Sequence, residues 1–124
     1  MSEDIHLDVR RPFGPSLGKV NIPESLINKI NNYIDEIIDK DKVAAEQNDY
    51  GSSLAGQVKQ EIRLPKNIVE GELLDYLISI TKTYIKISCE REITKFELMS
   101  TWVVRQFENE YNPAHVHGGH VSGA

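Results

Sequence analysis

Three of the four histidines in this 124-residue chain, His115, His117 and His120, fall within a single short run, Tyr111-Asn-Pro-Ala-His-Val-His-Gly-Gly-His-Val-Ser-Gly. Imidazole is the commonest protein ligand for iron, zinc, copper and nickel. His115 and His117 are two positions apart, so on an extended strand both leave the same face and can take adjacent corners of one metal ion. Gly118 and Gly119 let the backbone turn tightly, and His120 then re-enters with Val121 and Ser122 as the expected start of another strand. The bland alternative is three surface histidines on a chain tail, where histidine is well tolerated. Their crowding directly after a β-rich run favours metal. A zinc finger is poorly supported, since Cys89 is the lone cysteine and a closed structural site needs four ligands. Ser122 lacks the Gly-x-Ser-x-Gly setting of an activated nucleophile. His6 falls on the outward set of a short strand and reads as a solvated surface residue. The sequence names no catalytic acid, base or nucleophile.

Length and composition bound what such a cluster can serve. The chain reads as a single domain over residues 1–124, long enough for a real core. A net charge of −5 with scattered Lys and Arg gives no basic stripe, so no nucleic acid is expected as a partner. No apolar run approaches the eighteen or so residues that cross a bilayer, and the first residues carry charges where a secretory signal would be apolar. No membrane association is expected. The single cysteine suits a reducing, cytoplasmic compartment.

The elements that must position the histidines follow from periodicity. Ile5–Val9 alternates apolar and polar and predicts a short strand. Arg10–Gly18, with Pro12, Gly14 and Pro15, predicts a loop, and Lys19–Ile22 a brief extended piece. From Glu24 to about Lys40, Leu26, Ile27, Ile30, Tyr33, Ile34, Ile37 and Ile38 recur at three-and-four spacing, which predicts an amphipathic helix. Asp35, Glu36 and Asp39 lie off that stripe and read as its wet face. Asp41–Gly56 is polar and small, a long loop. Gln57–Leu64 alternates cleanly, with Val58, Gln60, Ile62 and Leu64 on one face and Lys59, Glu61 and Arg63 on the other, and Pro65 closes the strand. A second helix is expected from about Asn67 to Cys89, its stripe running through Leu73, Leu74, Leu77, Ile80, Tyr84 and Ile87. Lys95–Phe107 carries apolar residues on both faces, as a strand covered on both sides does. Glu108–Pro113 is a turn that delivers the chain into the histidines. The pattern is α+β, with two helices packed on one face of a mainly antiparallel sheet.

The stretch Trp102-Val-Val-Arg-Gln-Phe-Glu-Asn-Glu-Tyr-Asn-Pro-Ala-His115-Val-His117-Gly-Gly-His120-Val-Ser122-Gly123 resembles the start of the catalytic jelly roll, or double-stranded β-helix, of Fe(II)/2-oxoglutarate-dependent oxygenases. The likeness is to their small bacterial, marine and phage-type members. Their pattern is a Trp-containing strand, an Asn, a His-x-His or His-x-Asp pair, and Ser-Gly leading into an aromatic strand. Phe13-Gly-Pro, Ile22-Pro-Glu-Ser-Leu and Leu54-Ala-Gly-Gln-Val-Lys-Gln-Glu-Ile are similar too, so the likeness spans nearly the whole chain. Its motif value is concentrated in the last segment. The resemblance implies iron held by two histidines and a carboxylate on one triangular face, with three positions left for 2-oxoglutarate and O₂. It also implies hydroxylation of a C–H bond in a small molecule or a side chain, coupled to oxidative decarboxylation of 2-oxoglutarate. On this reading His115 takes the first histidine position and His117 the position usually held by the carboxylate. Trp102, Arg105, Gln106 and Asn112 are then the nearest residues to line the pocket.

Two departures from the family pattern matter. His117 replaces an anionic ligand with a neutral one, which leaves the metal more positive and brings in His120 as a further candidate ligand. The family's distal histidine and the basic residue that pairs with the 2-oxoglutarate carboxylate belong to later strands, beyond Ala124. A jelly roll takes about eight strands, and completing one from the Trp102 strand takes on the order of 60 further residues. The expectation is therefore a hydroxylase-type oxygenase or the N-terminal portion of one, with a homo-oligomer as one way to complete the sheet. The alternative of a different class is a non-catalytic, cupin-like jelly-roll module that binds metal or a protein partner without turnover.

Overall fold

The computed structural model describes residues 5–40, 60–111 and 117–124. Strand β1, Asp8–Arg10, pairs antiparallel with β2, Leu17–Lys19, in the register Asp8↔Lys19, Val9↔Gly18 and Arg10↔Leu17. The first strand therefore lies later than the alternation of Ile5–Val9 predicts, and Leu17 and Gly18 belong to a strand rather than to the loop. The alternation itself holds: Ile5, Leu7 and Val9 are half-buried, and His6 is exposed as expected. Gly18 explains the close seating of this hairpin, since a Cβ there would lie 2.9 Å from Tyr84 Cδ2.

Pro23 opens the first long helix: its carbonyl accepts from Leu26 N at 3.1 Å and Ile27 N at 3.3 Å. Helix α1 runs Glu24–Lys40, as the apolar spacing predicts. Leu26, Ile34 and Ile37 are buried, while Ile27, at the edge of the predicted stripe, is 42% exposed. Each such buried side chain contributes about 1.5–3 kcal/mol of apolar burial. The expected loop at Asp41–Gly56 lies outside the described residues.

Strand β3, Gln60–Arg63, pairs antiparallel with β4, Trp102–Arg105, in the register Gln60↔Arg105, Glu61↔Val104, Ile62↔Val103 and Arg63↔Trp102. Leu64 N donates to Thr101 O at 3.0 Å and extends the pairing by one bond. Ile62, Leu64 and Val103 join Leu26, Ile34, Val69 and Leu73 in one core. The reverse face is not the solvated one predicted. Glu61 is 1% exposed, whereas Arg63 is exposed. Successive strand side chains point to opposite faces, so burial of both Glu61 and Ile62 means the sheet is covered on both sides there.

The helix predicted over Asn67–Cys89 is broken in two. A single turn, α2, spans Lys66–Val69, and α3 spans Glu72–Cys89. Glu70 is extended (φ −60°, ψ 144°) and Gly71 adopts φ 94°, ψ −128°, a conformation that glycine alone takes without strain. Glu72 and Asp75 in the first turn of α3 and Lys86 in its last match the helix dipole. Glu90 ends α3 in the left-handed conformation, its N–H reaching Lys86 O at 3.0 Å. Tyr84 Oη donates to Ser16 O at 2.8 Å, Tyr76 Oη to Asn21 O at 2.9 Å, and Arg11 Nη2 to Ser88 O. These three bonds fasten the N-terminal hairpin and the segment after it along α3.

The class is α+β, as read from the sequence, with three helices among the described residues. The strands there form two separate two-stranded antiparallel sheets rather than one mainly antiparallel sheet. Of the predicted strand Lys95–Phe107, only Trp102–Arg105 pairs, and Met99 is 71% exposed.

Candidate metal centre

Strand β4 is the platform of the candidate site. All four of its residues are half-buried. Arg105 points to α1: its Nη2 lies 2.7 Å from Asp35 Oδ1 and 3.4 Å from Asn31 O. The next residue, Gln106, donates from Nε2 to Glu110 O at 2.7 Å. Glu110 N returns a bond to Phe107 O at 3.1 Å, and Glu110 Oε1 accepts from Phe107 N at 3.0 Å. Asn109, at φ 67°, completes this reversal where a turn was expected. The candidate residues Arg105 and Gln106 therefore enter the site already engaged, one with a helix and one with the turn that reverses the chain.

Beyond the turn, Asn112 and His115 lie outside the described residues. The chain is described again from His117, whose imidazole centroid stands 5.6 Å from that of Trp102, with the two planes tilted by 34°. Two residues on, Gly119 has φ +100°, and a Cβ there would lie 3.3 Å from Met99 Sδ. The contacts Trp102–His117 and Met99–Gly119 run in opposite chain directions. The 117–119 segment thus lies antiparallel along 99–102. This is side-chain packing rather than strand pairing: no strand forms over the described residues 117–124, where one was expected to begin. His117 and His120 are both exposed.

Imidazole nitrogens suit iron, nickel, copper and zinc alike, so the donor set fits a divalent transition metal by its chemistry. Among the described residues no group of three His, Cys, Asp or Glu side chains is placed to hold one. A metal here would draw on His117 and His120 together with His115. One open groove of about 460 Å³ lies elsewhere, where Asn28, Asn32 and Tyr33 of α1 face Ile68 of α2, and none of Trp102, Arg105, Gln106, His117 or His120 lines it. Sequence reasoning missed Asp35 as the partner of Arg105. It sits beside the buried Ile34 on the flank of the apolar stripe, a position that carries no local signal.

No protein-family model, curated protein or solved structure matches the chain. No helix among the described residues is long and apolar enough to cross a membrane.

Proposed function

We propose that this chain carries the metal-binding segment of a hydroxylase-type Fe(II)/2-oxoglutarate-dependent oxygenase, built on the first strands of a jelly roll. His115 and His117 are its paired ligands, and His120 is the neighbour able to substitute for either. The observation that carries this reading is the contact between His117 and Trp102. It brings His117 against Trp102 of β4, which an unattached tail would not do. Bound iron would supply activation of O₂ with 2-oxoglutarate as co-substrate, and the substrate would be a small molecule or a side chain. The chain's own part is to present imidazoles beside β4, with Trp102 against one of them. Arg105 and Gln106 brace the strand and its turn, and Asn112 is the remaining residue proposed to line the pocket. Met99, Phe107, Tyr111 and Val121 are exposed apolar residues on or near this part of the chain. Their exposure supports a second copy of the chain completing the sheet.

A second reading has its own support. His117 and His120 are exposed, and no carboxylate joins them in a three-residue group among the described residues. That favours a cupin-like module that binds metal, or a protein partner, without turnover.

An anaerobic Fe(II) titration with and without 2-oxoglutarate separates the readings. The oxygenase reading requires the visible charge-transfer band of 2-oxoglutarate chelated to iron, abolished in both H115A and H117A. Iron binding without the band leaves the module. No iron binding removes both metal readings.

A further inference from the structure

Beyond the last paired rung of the N-terminal hairpin, Arg10↔Leu17, the chain reverses through Arg11-Pro-Phe-Gly-Pro-Ser16. Phe13, in the middle of that loop, is 93% exposed. Both ends of the loop are held by α3: Arg11 Nη2 donates to Ser88 O, and Ser16 O accepts from Tyr84 Oη at 2.8 Å. Pro12 and Pro15 fix φ on either side of Phe13, and Gly14 takes the turn at φ +106°. The benzyl group is thus displayed in water from a tethered, proline-stiffened loop, and burying it costs little further ordering. The rungs behind it sort by face. Val9 is half-buried and its partner Gly18 lies against Tyr84, so this rung faces α3. Alternation then turns Asp8, Arg10, Leu17 and Lys19 outward, and all four are exposed. Asp8 is the one acid between Ile5 and Ile22, and it pairs with Arg10 at 3.0 Å. Arg11 and Lys19 leave the hairpin positive in a chain whose net charge is −5.

We propose that this hairpin docks on an anionic lipid surface, with Phe13 entering the boundary between headgroups and acyl chains while Arg10, Arg11 and Lys19 meet the headgroup anions. An apolar tip with cations one to three residues of strand behind it follows the layering of a bilayer leaflet. Leu17, 64% exposed on the same outward face as Arg10 and Lys19, adds apolar surface at the base of the tip. A convex, isolated aromatic ring needs no shaped cavity in lipid, whereas a protein partner would have to supply a concave apolar pocket with an acidic rim. The acids elsewhere on the chain act weakly at the tip, since salt screens exposed charges beyond about 8 Å. The expectation of no membrane association rested on spanning length and on a secretory signal, and docking at the interface requires neither. The proposal is independent of the metal reading above.

The test is co-sedimentation of the full chain with vesicles of phosphatidylcholine alone and of phosphatidylcholine mixed with phosphatidylserine. Phe13→Ala removes the tip and Lys19→Gln one cation, and circular dichroism confirms that both are folded. Phe13→Trp places a fluorescent ring at the tip, with the wild-type chain, whose sole tryptophan is Trp102, as the blank. The wild-type chain should sediment with the mixed vesicles and much less with the neutral ones. F13A should bind about tenfold more weakly, the loss expected when most of a Phe side chain stays in water. K19Q should bind about fivefold more weakly, and added salt should weaken wild type further. The F13W emission should shift to the blue on the mixed vesicles. No sedimentation of wild type with the mixed vesicles overturns the proposal, as does equal binding to neutral ones. Undiminished binding by F13A, or an unshifted F13W emission, places the contact elsewhere and overturns it too. Concentration-dependent self-association that F13A abolishes, without vesicle binding, seats the tip on a second copy of the chain instead of on lipid.

Discussion

Arg105 Nη2 stands 2.7 Å from Asp35 Oδ1, so the strand that carries Trp102 is tied by an ion pair to the helix that carries Ile34. The guanidinium is the more buried partner, at 27% side-chain exposure against 57% for the carboxylate. Water still screens the pair, which holds its value to about 1 kcal/mol or less. Asp35→Asn is expected to lower unfolding stability by no more than this, and high salt should shrink the difference between variant and wild type. Urea denaturation at two ionic strengths reads both. A loss of several kcal/mol, or one indifferent to salt, would show that Asp35 does more than pair.

Ile34 is fully buried, whereas Ile27 on the same helix is 42% exposed. Ile34→Ala should cost about 2–5 kcal/mol, the toll of removing methyl groups from a packed core. Ile27→Ala should stay within about 1 kcal/mol, as expected for a surface position. Denaturant midpoints of the two variants make the comparison, and similar losses would contradict the burial pattern of α1.

Gly118 and Gly119 are adjacent but not equivalent. Gly119 adopts φ +100° and has Met99 Sδ 3.3 Å from where a Cβ would sit; a Cβ on Gly118 would meet nothing within 4 Å. Gly119→Ala therefore forces both a strained backbone and a shift of Met99. If the histidine run binds metal as proposed, Gly119→Ala should weaken Co(II) binding several-fold by shifting the segment that carries His117 and His120, while Gly118→Ala should bind nearly as the parent does. Calorimetric titration of both decides it, and matching losses would mean that glycine flexibility alone is at work.

Burial raises the Tyr76 hydroxyl above its ordinary value of 10.0, and its proton is donated to Asn21 O at 2.9 Å. The folded chain thus favours the neutral phenol. The associated stability is fully present below the unfolded value and is lost as pH climbs through the raised folded one. Tyr76→Phe should cost about 0.5–1.5 kcal/mol at neutral pH through the lost bond. Its stability should then fall less than that of wild type as pH rises from the ordinary tyrosine value of 10.0 through the raised folded one. Denaturation across that window is the measurement, and parallel curves would remove Tyr76 from the alkaline response.

The elements readable from the sequence were those whose signal is local. Helix α1 was legible at both ends because Pro23 and the recurrence from Leu26 to Ile38 sit within the element itself. The break between α2 and α3 was hidden because Ile68, Val69 and Leu73 keep helical spacing across it, leaving Gly71 as the one clue. Strand β2 was lost among Pro15, Gly18 and their neighbours, since Gly18 is there to admit Tyr84, a residue far along the chain. Glu61 was assigned outward by alternation, which states which residues share a face but not what covers that face. The candidate site divides in the same way. The residue type and spacing at His115, His117 and His120 are sequence facts. The meeting of His117 with Trp102, and of Arg105 with Asp35, depends on a chain reversal and on a helix docked from a distance.

The register of β3 against β4 also sets an order of events in time. Arg63 faces Trp102, and everything from Leu64 to Thr101, including α2 and α3, intervenes. Helices form from near neighbours on a sub-microsecond to microsecond scale, whereas a ladder that closes so long a span bears the loop entropy before any pairing rewards it. The indole that faces His117 is therefore set in place late, after the helical segment between the two strands has compacted. If the chain binds metal as proposed, substitutions that slow the β3–β4 encounter should delay its uptake, even where the final affinity is unchanged.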